Sequence, residues 1–521
     1  MAIADNFNQA VPFNLLDKDY AEPNPHAKIG SPAWWASKLE VDIRRRNLLI
    51  QLYEDYYEGR HKLTFASAQF RDAFASMLSA VSDNWIPLVI NASVERLNPQ
   101  GFTFGDSREG DREAWNIWQH SYMDADASLS FTEACKHGES YLLVWPVEEA
   151  ARRGVFGMNF ARKSSQTPPQ ITVEHPSQMI VQRSGGDRRK IEAAFKCWIE
   201  SDGSTHGTLY LPKTIHRLKK HPDHGWIDRP GAVAESPNRL GIVPVVPITN
   251  DPHMLGCRPP ASIMASPHDA PDVAIGLGRS DQADIVSTVD QINKLLCDMM
   301  VASEVSAFKQ RWATGLEVPK DEDGNDVEPF KAAVDRLWLA PPDEDGQNNV
   351  RFGEFTATDL KNYTGAMESR IQSLAARTRT PPHYLLGSIV NASGDALKAA
   401  ETGLASKVKG KAKSFGEGLE EAMRLAFAWM DDERASDKSA ETKWGPFESR
   451  SESEYVDSLV KKMAIGVPKE QLWEDAGYSP QQINRFKSML LEEGARQDIF
   501  GPVALPTEPT ADDPTNGIPT S

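Results

Sequence analysis

Apolar residues recur at steps of three and four along several long stretches of the chain, which is the period of one face of an α-helix. The clearest stretch, "GRSDQADIVSTVDQINKLLCDMMVASEVSAF" (residues 278–308), predicts a helix of roughly 40 Å that Ser280 caps, with Asp281 and Asp284 at the positive end of its dipole. Its apolar stripe consists of Ile285, Val289, Ile292, Leu296 and Met299. Its opposite face carries the acidic residues Asp290, Asp298 and Glu304.

Two further long helices are predicted downstream, on either side of a link that begins with two prolines. The first runs from about Thr358 to Arg377, and Pro381 and Pro382 stop it. Its apolar stripe consists of Leu360, Tyr363, Met367, Ile371 and Leu374. The second runs from about 394 to 431. The segment "PHYLLGSIVNASGD" between them is predicted to be a loop.

The rest of the chain divides into helical and strand-rich regions. Helical periodicity recurs in 31–59, 64–98, 110–138 and 450–496, the last interrupted at "GVP" and "GYSP". Ser31 and Pro32 signal the start of the first of these helices. "SYLLVWPVE" then predicts a buried strand, and short β-branched or aromatic runs from about 140 to 250 predict a β-rich region with hairpin turns.

Composition narrows the classes of protein to which the chain can belong. Its 521 residues are 40% hydrophobic and 25% charged, which is typical of a globular protein with a sizeable core. The net charge of −17 argues against a protein that grips nucleic acid by neutralising phosphates, but it is compatible with one past which DNA slides. The four cysteines are far apart, so no disulfide framework or zinc site is expected and a reducing compartment fits. The sequence shows neither a secretory signal nor the roughly 20 consecutive apolar residues that span a bilayer.

Candidate catalytic and ligand sites have little support in the sequence. His221 and His224 flank Asp223 in "HPDHG", but no third and fourth ligands are evident, so a solvated turn is favoured over a metal site. Cys135 and His137 are neighbours, which is more typical of a helix end than of a nucleophile and its base. "GLGRS" lacks the third glycine of a dinucleotide fingerprint, "DEDGND" fails the calcium-loop pattern, and neither G-x-x-x-x-G-K-[ST] nor G-x-S-x-G occurs. We therefore expect no catalytic residue, no metal and no cofactor.

Four lysines alternate in "SKVKGKAKS", namely Lys407, Lys409, Lys411 and Lys413. On a helix, steps of two residues scatter side chains around the barrel, so these lysines do not form one basic stripe. A solvated surface is favoured, and contact with a polyanion is the alternative.

The order of these parts resembles the portal proteins of tailed double-stranded DNA bacteriophages, in particular the siphophage type. Portal proteins form the connector at the unique vertex of the capsid. The resemblance rests on five stretches that together span most of residues 50–490: "YYEGRH" with "LVINASVERLNPQGF", "DREAWNIWQHSYMDADASLSFTEACKHGESYLLVWP", "GRSDQADIVSTVDQINKLLCDMMVASEVSAFKQRWATG", "RTPPHYLLGSIVNASGDALKAAETGLASKV" and "WGPFESRSESEYVDSLVKKMAIGVPKEQLWEDAGYSPQQINRF". The order of the stretches is more specific than any one of them.

The resemblance implies an α+β fold, mainly α-helical, with a β-rich wing portion, long stem helices, a small α/β clip and a helical C-terminal crown. The expected parts are a flexible N-terminal arm (1–30), the wing (31–277, β-rich from about 140), the first stem helix (278–306), the clip (307–355), the second stem helix (356–380), the tunnel loop (381–395), the long wing helix (396–432), the crown (433–500) and a disordered tail (501–521).

In such a ring, the first stem helix needs an apolar seam against its neighbours and a wet face toward the lumen. The predicted oligomer seam is the stripe Ile285, Val289, Ile292, Leu296 and Met299. Asp290 and Asp298 are predicted to line the lumen, where negative charge repels DNA phosphates. The alternative is that the two aspartates belong to the solvated face of a monomeric bundle.

The resemblance also implies two further functional segments. The tunnel loop is predicted to place Asn391, Ser393, Asp395 and Lys398 along the DNA channel. Alternatively, Leu385, Leu386, Ile389 and Val390 bury this link in a static core. The clip is predicted to dock partners through Trp312, Phe330, Leu337 and Trp338, and the alternative is that its two tryptophans form the clip's own small core.

The implied function is that of a ring of about twelve subunits through which DNA is packaged and ejected without reading of its sequence. The implied partners are the terminase large subunit, a head–tail adaptor protein, and the major capsid and scaffolding proteins, with no membrane. The ring would assemble in the host cytoplasm and remain at the capsid vertex of the virion. One alternative is a nucleic-acid enzyme of the packaging apparatus. The missing phosphate-binding loop counts against a motor, and the lack of a clear cluster of metal-binding carboxylates counts less strongly against a nuclease. Another alternative is a helical scaffold protein unrelated to phages.

Overall fold

The computed structural model describes residues 27–60, 83–105, 110–146, 168–230, 233, 235–254, 276–307, 311–314, 351–354, 359–387, 394–448, 452–478 and 480–500. Helices and strands both contribute, which confirms the α+β class. The helices are α1 (Pro32–Tyr57), α2 (Ile86–Val94), α3 (Arg112–His120), α4 (Met123–His137), α5 (Val286–Ala307), α6 (Lys361–Thr378), α7 (Pro382–Leu386), α8 (Gly394–Trp429), α9 (Glu452–Ala464), α10 (Lys469–Asp475) and α11 (Pro480–Phe500). The strands are β1 (Pro99–Thr103), β2 (Glu139–Trp145), β3 (Gln170–Glu174), β4 (Met179–Arg183), β5 (Ile191–Ile199), β6 (Thr205–Tyr210), β7 (Thr214–His221), β8 (Gly225–Asp228), β9 (Glu235–Pro237), β10 (Val245–Thr249), β11 (Arg311–Thr314), β12 (Arg351–Glu354) and β13 (Glu441–Trp444).

Helix α1 begins where its capping residues predict. The Ser31 hydroxyl accepts a hydrogen bond from the backbone N–H of Trp34 at 3.3 Å, and Pro32 occupies the first turn, where a missing N–H costs nothing. The buried residues Ala36, Leu39 and Ile43 pack against a sheet and form one of the hydrophobic clusters. The N-terminal half of α1 is therefore held by the β-rich region.

The predicted β-rich region contains a large antiparallel sheet in the order β4-β5-β6-β7-β8, with β9 also paired to β7. Successive side chains of β5 point to opposite faces of the sheet and pack in two different hydrophobic clusters. Phe195 and Cys197 contact the cluster that includes α1, whereas Ala194 belongs to a cluster shared with a second sheet. The large sheet is thus covered by α1 on one face and by strands on the other.

The second sheet, in the order β10-β2-β3, connects the β-rich region to the main helical core. Tyr141 and Leu143 of β2 face the large sheet, and Leu142 and Val144 join the core that contains α4 and α8. In that core the rings of Phe131 and Phe415 stack with centroids 5.1 Å apart. Strand β2, which the run "SYLLVWPVE" predicts, is buried because both of its faces are covered.

The first predicted long helix begins later than expected, at Val286 instead of near residue 278. Residues 280–285 form turns, because their polar groups bind the end of α4: the Asp281 N–H donates to the carbonyl of Cys135 at 2.9 Å, and the Ser280 hydroxyl donates to the carbonyl of Lys136. Gly278 allows this close approach, since a Cβ there would lie 1.8 Å from the carbonyl oxygen of Gly138.

The predicted loop after the second long helix is partly helical, which corrects the sequence analysis. Helix α7 forms at Pro382–Leu386, because proline is well suited to the first turn of a new helix even though it ends the previous one. Gly387 ends α7 with a positive φ of 62°. Helix α8 then starts at Gly394, so Asp395 lies in the helix instead of the loop.

Several further predicted elements can be compared with the structure. The helical pattern predicted over 110–138 is divided into α3 and α4, and Tyr122 between them has a positive φ of 57°. Helix α6 covers the predicted second long helix, and the breaks between α9, α10 and α11 fall at "GVP" and "GYSP". Strands β11 and β12 pair antiparallel and lie within the predicted clip, near its two ends. The predicted flexible arm, except for residues 27–30, and the predicted tail at 501–521 lie outside the described residues.

Candidate functional site

The two predicted stem helices pack against each other. Ile292 of α5 and Leu374 of α6 both belong to the main hydrophobic core, and each is 0% exposed. Arg377, in the last turn of α6, donates a hydrogen bond of 3.0 Å to the hydroxyl of Thr288 in the first turn of α5. The two helices therefore share one packed end, close to the body of the subunit.

The predicted oligomer seam is divided between two environments. Ile285, Val289 and Ile292 are at most 1% exposed and are covered by residues of the same chain, so a neighbouring subunit is not needed to bury them. The prediction that the whole stripe faces a neighbouring subunit is therefore corrected for these three positions. Leu296 and Met299, further along α5, remain partly exposed.

The two aspartates predicted to line the lumen also differ. Asp290 is 4% exposed and accepts a hydrogen bond of 2.9 Å from the hydroxyl of Tyr56, so it lies inside the subunit and not on a wet face. Burial, together with the charge of Asp290, raises the pKa of Tyr56, which stays protonated as a donor. Asp298 is 33% exposed and forms an ion pair with Lys294 one helical turn away.

A buried polar cluster joins α8 to the turns that precede α5. Asp281 lies 2.7 Å from Lys411 Nζ and 2.9 Å from Lys407 Nζ, and Asn250 at the end of β10 donates to it at 2.9 Å. Burial alone would raise the pKa of Asp281, but the two lysine charges outweigh it and hold that pKa below its usual range. The cluster ties three segments together beneath the stem helices.

The alternating lysines thus do not all form a solvated surface. Lys407 and Lys411 are four residues apart, which places them on one face of α8, and that face turns inward toward Asp281. Lys409 and Lys413 lie on the exposed side. The spacing of four residues between Lys407 and Lys411 indicates that they share one helix face. Nothing in the sequence indicates that Asp281 is their partner.

Cys135 and His137 do not act as a nucleophile and base pair in this arrangement. Burial raises the pKa of the Cys135 thiol to about 11, despite the neighbouring Lys411 charge. The His137 imidazole instead lies 2.9 Å from Glu54 of α1.

A second polar cluster lies at the predicted tunnel loop. Arg96, just after α2, donates hydrogen bonds to the Tyr384 hydroxyl in α7 at 2.9 Å and to Glu401 in α8 at 3.0 Å. The Tyr384 hydroxyl also donates to Glu401 at 3.0 Å. Burial would lower the pKa of Arg96, but these two partners outweigh burial and raise it. One guanidinium therefore connects the helices on both sides of residues 388–393.

The predicted tunnel-loop residues are only partly described by the structure. Asn391 and Ser393 lie outside the described residues, as do Ile389 and Val390. Asp395 and Lys398 lie in the first turns of α8. Leu385 is 3% exposed and belongs to the main core, so the start of the predicted loop is anchored in the body of the subunit.

The predicted clip residues are described only at their first position. Trp312 lies in β11 opposite Gly353 of β12. Phe330, Leu337 and Trp338 lie outside the described residues.

An α+β subunit with two long, adjoining helices agrees with the architecture that the resemblance implies for a component of a phage connector. The chain matches the family described as "Phage portal protein, SPP1 Gp6-like" over residues 40–489, and it belongs to this family. The portal protein of Mycobacterium phage D29 is 27% identical over 484 residues, which cover 90% of each chain. The portal protein of Mycobacterium phage L5 is 29% identical over 447 residues, which cover 82% of this chain and 83% of that protein.

The family match confirms the resemblance. Portal proteins are structural components of the phage virion that work as oligomeric rings, and the family is not one of enzymes. Among the helices that the structure describes, none combines the length and the apolar content needed to cross a membrane.

Proposed function

We propose that this chain forms a ring of about twelve subunits through which double-stranded DNA is packaged into the capsid and later ejected. The observation that carries the proposal is the uneven burial of α5. Its first half is enclosed by the same chain, whereas Leu295, Leu296, Met299, Met300 and Val301 stay partly exposed in a single subunit. Neighbouring subunits in a ring would cover these apolar side chains.

The lumen of the proposed ring is acidic. Asp298 is partly exposed on α5, and the chain as a whole carries a net charge of −17. Repulsion between acidic side chains and phosphates lets DNA move without adhering. Asp290 has no part in this surface, because Tyr56 holds it inside the subunit.

The narrowest part of the proposed channel is the tunnel loop. We assign Asn391 and Ser393 to weak contacts with DNA phosphate and sugar. Asp395, at the start of α8, would add negative charge to the channel, and Lys398 would add a ring of positive charge behind it. The hydrogen bonds of Arg96 to Tyr384 and Glu401 support this assignment, because they anchor the helices on each side of the loop.

The proposed docking surface for partners is the clip, between the first and second stem helices. The terminase large subunit would bind there during packaging and the head–tail adaptor afterwards, through Trp312, Phe330, Leu337 and Trp338. The wing would contact the major capsid and scaffolding proteins. Assembly would take place in the host cytoplasm, and the ring would remain at one capsid vertex.

Negative-stain electron microscopy of the purified full-length protein tests the ring directly. Rings with a central hole, and a mass of about twelve subunits by light scattering, are the expected result. Monomers or dimers at every protein concentration would contradict the proposal. A DNA-packaging assay with purified terminase and empty heads then tests the channel, and it should fail when portal is omitted from head assembly.

A further inference from the structure

Two glutamates and two histidines from three separate segments meet where α1 and α4 end. Glu54 lies in the last turn of α1, Glu133 and His137 lie in the last two turns of α4, and His175 follows β3. One carboxylate oxygen or imidazole nitrogen from each residue lies within 4.8 Å of the others. Nothing in the proposed ring or channel requires these four side chains to converge.

We propose that Glu54, Glu133, His137 and His175 form a binding site for a divalent transition-metal ion of the Zn²⁺ type. Two imidazole nitrogens with two carboxylate oxygens are ligands that Zn²⁺ accepts in tetrahedral geometry. The sequence does not indicate this site, because Glu54 and His175 are 121 positions apart and only Glu133 and His137 are close in sequence.

Four of the six distances between the ligand atoms lie between 2.9 and 4.0 Å, around the spacing that a tetrahedral ion requires. Ligands at about 2.0–2.1 Å from a tetrahedral ion lie roughly 3.3 Å from one another. His137 Nε2 lies 2.9 Å from Glu54 Oε1 and 3.2 Å from Glu133 Oε2. His175 Nε2 lies 2.9 Å from Glu133 Oε2 and 4.0 Å from Glu54 Oε1.

The most buried groups of the cluster point to a cation. Glu133 Oε2 is buried and has no hydrogen bond of good geometry within the described part of the chain, although both Nε2 atoms lie within 3.2 Å of it. The His137 side chain is 0% exposed, so its Nε2 faces the carboxylates of Glu54 and Glu133 away from solvent. The C-terminal ends of α1 and α4 converge here as well, and their dipoles favour positive charge.

Residues around the cluster orient two of the proposed ligands. Lys136 Nζ lies 3.1 Å from Glu133 Oε1, which leaves Oε2 of that carboxylate facing the imidazoles. His175 Nδ1 lies 2.6 Å from the Ser177 hydroxyl and accepts from the Ser177 N–H at 3.1 Å. A metal ion on Nε2 would require the tautomer of His175 that carries its proton on Nδ1, in which the hydrogen bond from the Ser177 N–H is replaced by one donated to the Ser177 hydroxyl.

A bound ion would cross-link the β-rich region of the subunit to its main helical core. The ion would join the helix that covers the large sheet, the helix that belongs to the main core, and the turn between β3 and β4. An ion that binds only the folded chain stabilises that chain. We therefore expect metal to stabilise the wing against unfolding without taking part in DNA transport.

Metal titration of the purified full-length protein tests the site. The protein is stripped with a chelator and titrated with Zn²⁺ in competition with a chromogenic chelator, and with Co²⁺ to record its visible absorption. We expect one ion per subunit at micromolar free Zn²⁺, a tetrahedral Co²⁺ spectrum and a rise in unfolding temperature. His175→Gln, at a side chain that is 37% exposed and therefore tolerant of change, should weaken binding at least about tenfold.

A matched control uses the other close pair of histidines. His221, partly exposed at the end of β7, and His224, exposed in the turn that follows, stack with ring centroids 4.8 Å apart. The double change His221→Gln and His224→Gln should leave Zn²⁺ affinity unchanged. No saturable binding to the wild-type chain would overturn the proposal. Equal affinity in the wild type and in folded His175→Gln would overturn it too, as would loss of binding in the control.

Substitution of Lys136 distinguishes experimentally between a metal site and a simple ion-pair network. Lys136 pairs with both Glu54 and Glu133, and its positive charge opposes the binding of a cation. Lys136→Met should therefore lower the unfolding temperature without metal but increase the stabilisation that Zn²⁺ provides. If Zn²⁺ stabilised this variant no more than the wild type, the four residues would be an ion-pair network and the metal site would be rejected.

Discussion

The guanidinium of Arg96 lies 3.0 Å from the Glu401 carboxylate and shares that partner with the hydroxyl of Tyr384. These three residues come from the end of α2, from α7 and from α8, and they are brought together only by the fold. Since α7 and α8 enclose residues 388–393, the ion pair sets the positions from which the proposed tunnel loop starts and to which it returns. Its effect on the subunit and on packaging can be measured separately.

Arg96→Ala should destabilise the subunit by about 1–3 kcal/mol, because the partly buried Glu401 and Tyr384 lose a charged donor. Amide hydrogen exchange should increase at 382–387 and at the start of α8. Adding Glu401→Ala should cost less than the sum of the two single changes, since the pair is already broken. Arg239→Ala is the control, because its ion pair with Asp431 is exposed, at 58% and 69%, and it should change stability little. Additive effects of Arg96 and Glu401 would contradict the coupling.

Asp281→Asn should destabilise the subunit by about 3–5 kcal/mol, because Lys407 and Lys411 would then lie unpaired in a buried site. Unfolding by heat, followed by circular dichroism, measures the loss. Lys411→Met should cost less, since Lys407 still pairs with Asp281. An equal or larger loss in Lys411→Met would show that the aspartate does not hold the cluster together.

The same carboxylate should make stability depend on acid pH. The pKa of Asp281 is lowered in the folded chain, so its contribution is fully present above the usual aspartate pKa and is lost as pH falls toward the lower folded value. The wild-type protein should therefore lose stability more steeply than Asp281→Asn below about pH 4. Parallel acid-unfolding curves for the two proteins would count against this role.

Two substitutions on α5 should have different outcomes. Met299→Asp changes a partly exposed side chain and should abolish rings while leaving a folded subunit, because it places a charge in the proposed interface. Ile292→Asp changes a side chain that is 0% exposed and should unfold the subunit itself. Light scattering reports the rings, and circular dichroism reports the fold. Intact rings with Met299→Asp would show that this part of α5 does not contact a neighbour.

Bulky side chains in the proposed tunnel loop should obstruct DNA. The double change Asn391→Trp and Ser393→Glu should leave rings intact and reduce the DNA packaged per head, through steric blockage and repulsion of phosphates. Pulsed-field analysis of DNA from purified heads measures the length packaged. Normal rings with normal packaging would remove this loop from the constriction.

Shortening the proposed clip should affect partners more than assembly. Deleting residues 321–326, the acidic segment "DEDGND", should weaken binding of terminase or adaptor while leaving rings intact, because the segment lies in the proposed docking region. Pull-down with each purified partner measures the loss. If the rings disappeared instead, the segment would be needed for the fold or for oligomerisation.

Local pattern was sufficient for much of the architecture. The apolar stripe of α6, the Ser31 cap of α1 and the short β-branched runs of the β-rich region each depend on neighbours in sequence. They therefore predict elements whose boundaries agree closely with the structure. The five stretches that resemble portal proteins likewise predict the family, because they preserve the order of those elements.

Tertiary contacts decided which faces of those elements are inside. The period of α5 predicts one apolar stripe, but not that its first three residues are covered by the same chain, nor that Tyr56 removes Asp290 from solvent. Helix α5 begins later than predicted because Ser280 and Asp281 form hydrogen bonds with the end of α4. Helix α4 is far away in sequence, so local helix propensity does not predict these bonds.

The polar clusters were the features that could least be predicted from the sequence, because their members are far apart in the chain. The sequence by itself determined the family, the acidic charge and most of the helices, because these are properties of composition and period. Only the tertiary structure brought Arg96 to Glu401, Asp281 to Lys411, and Glu54 to His137 and His175. The physical reason is that burial makes a charge costly unless a partner is present, and the fold alone supplies that partner.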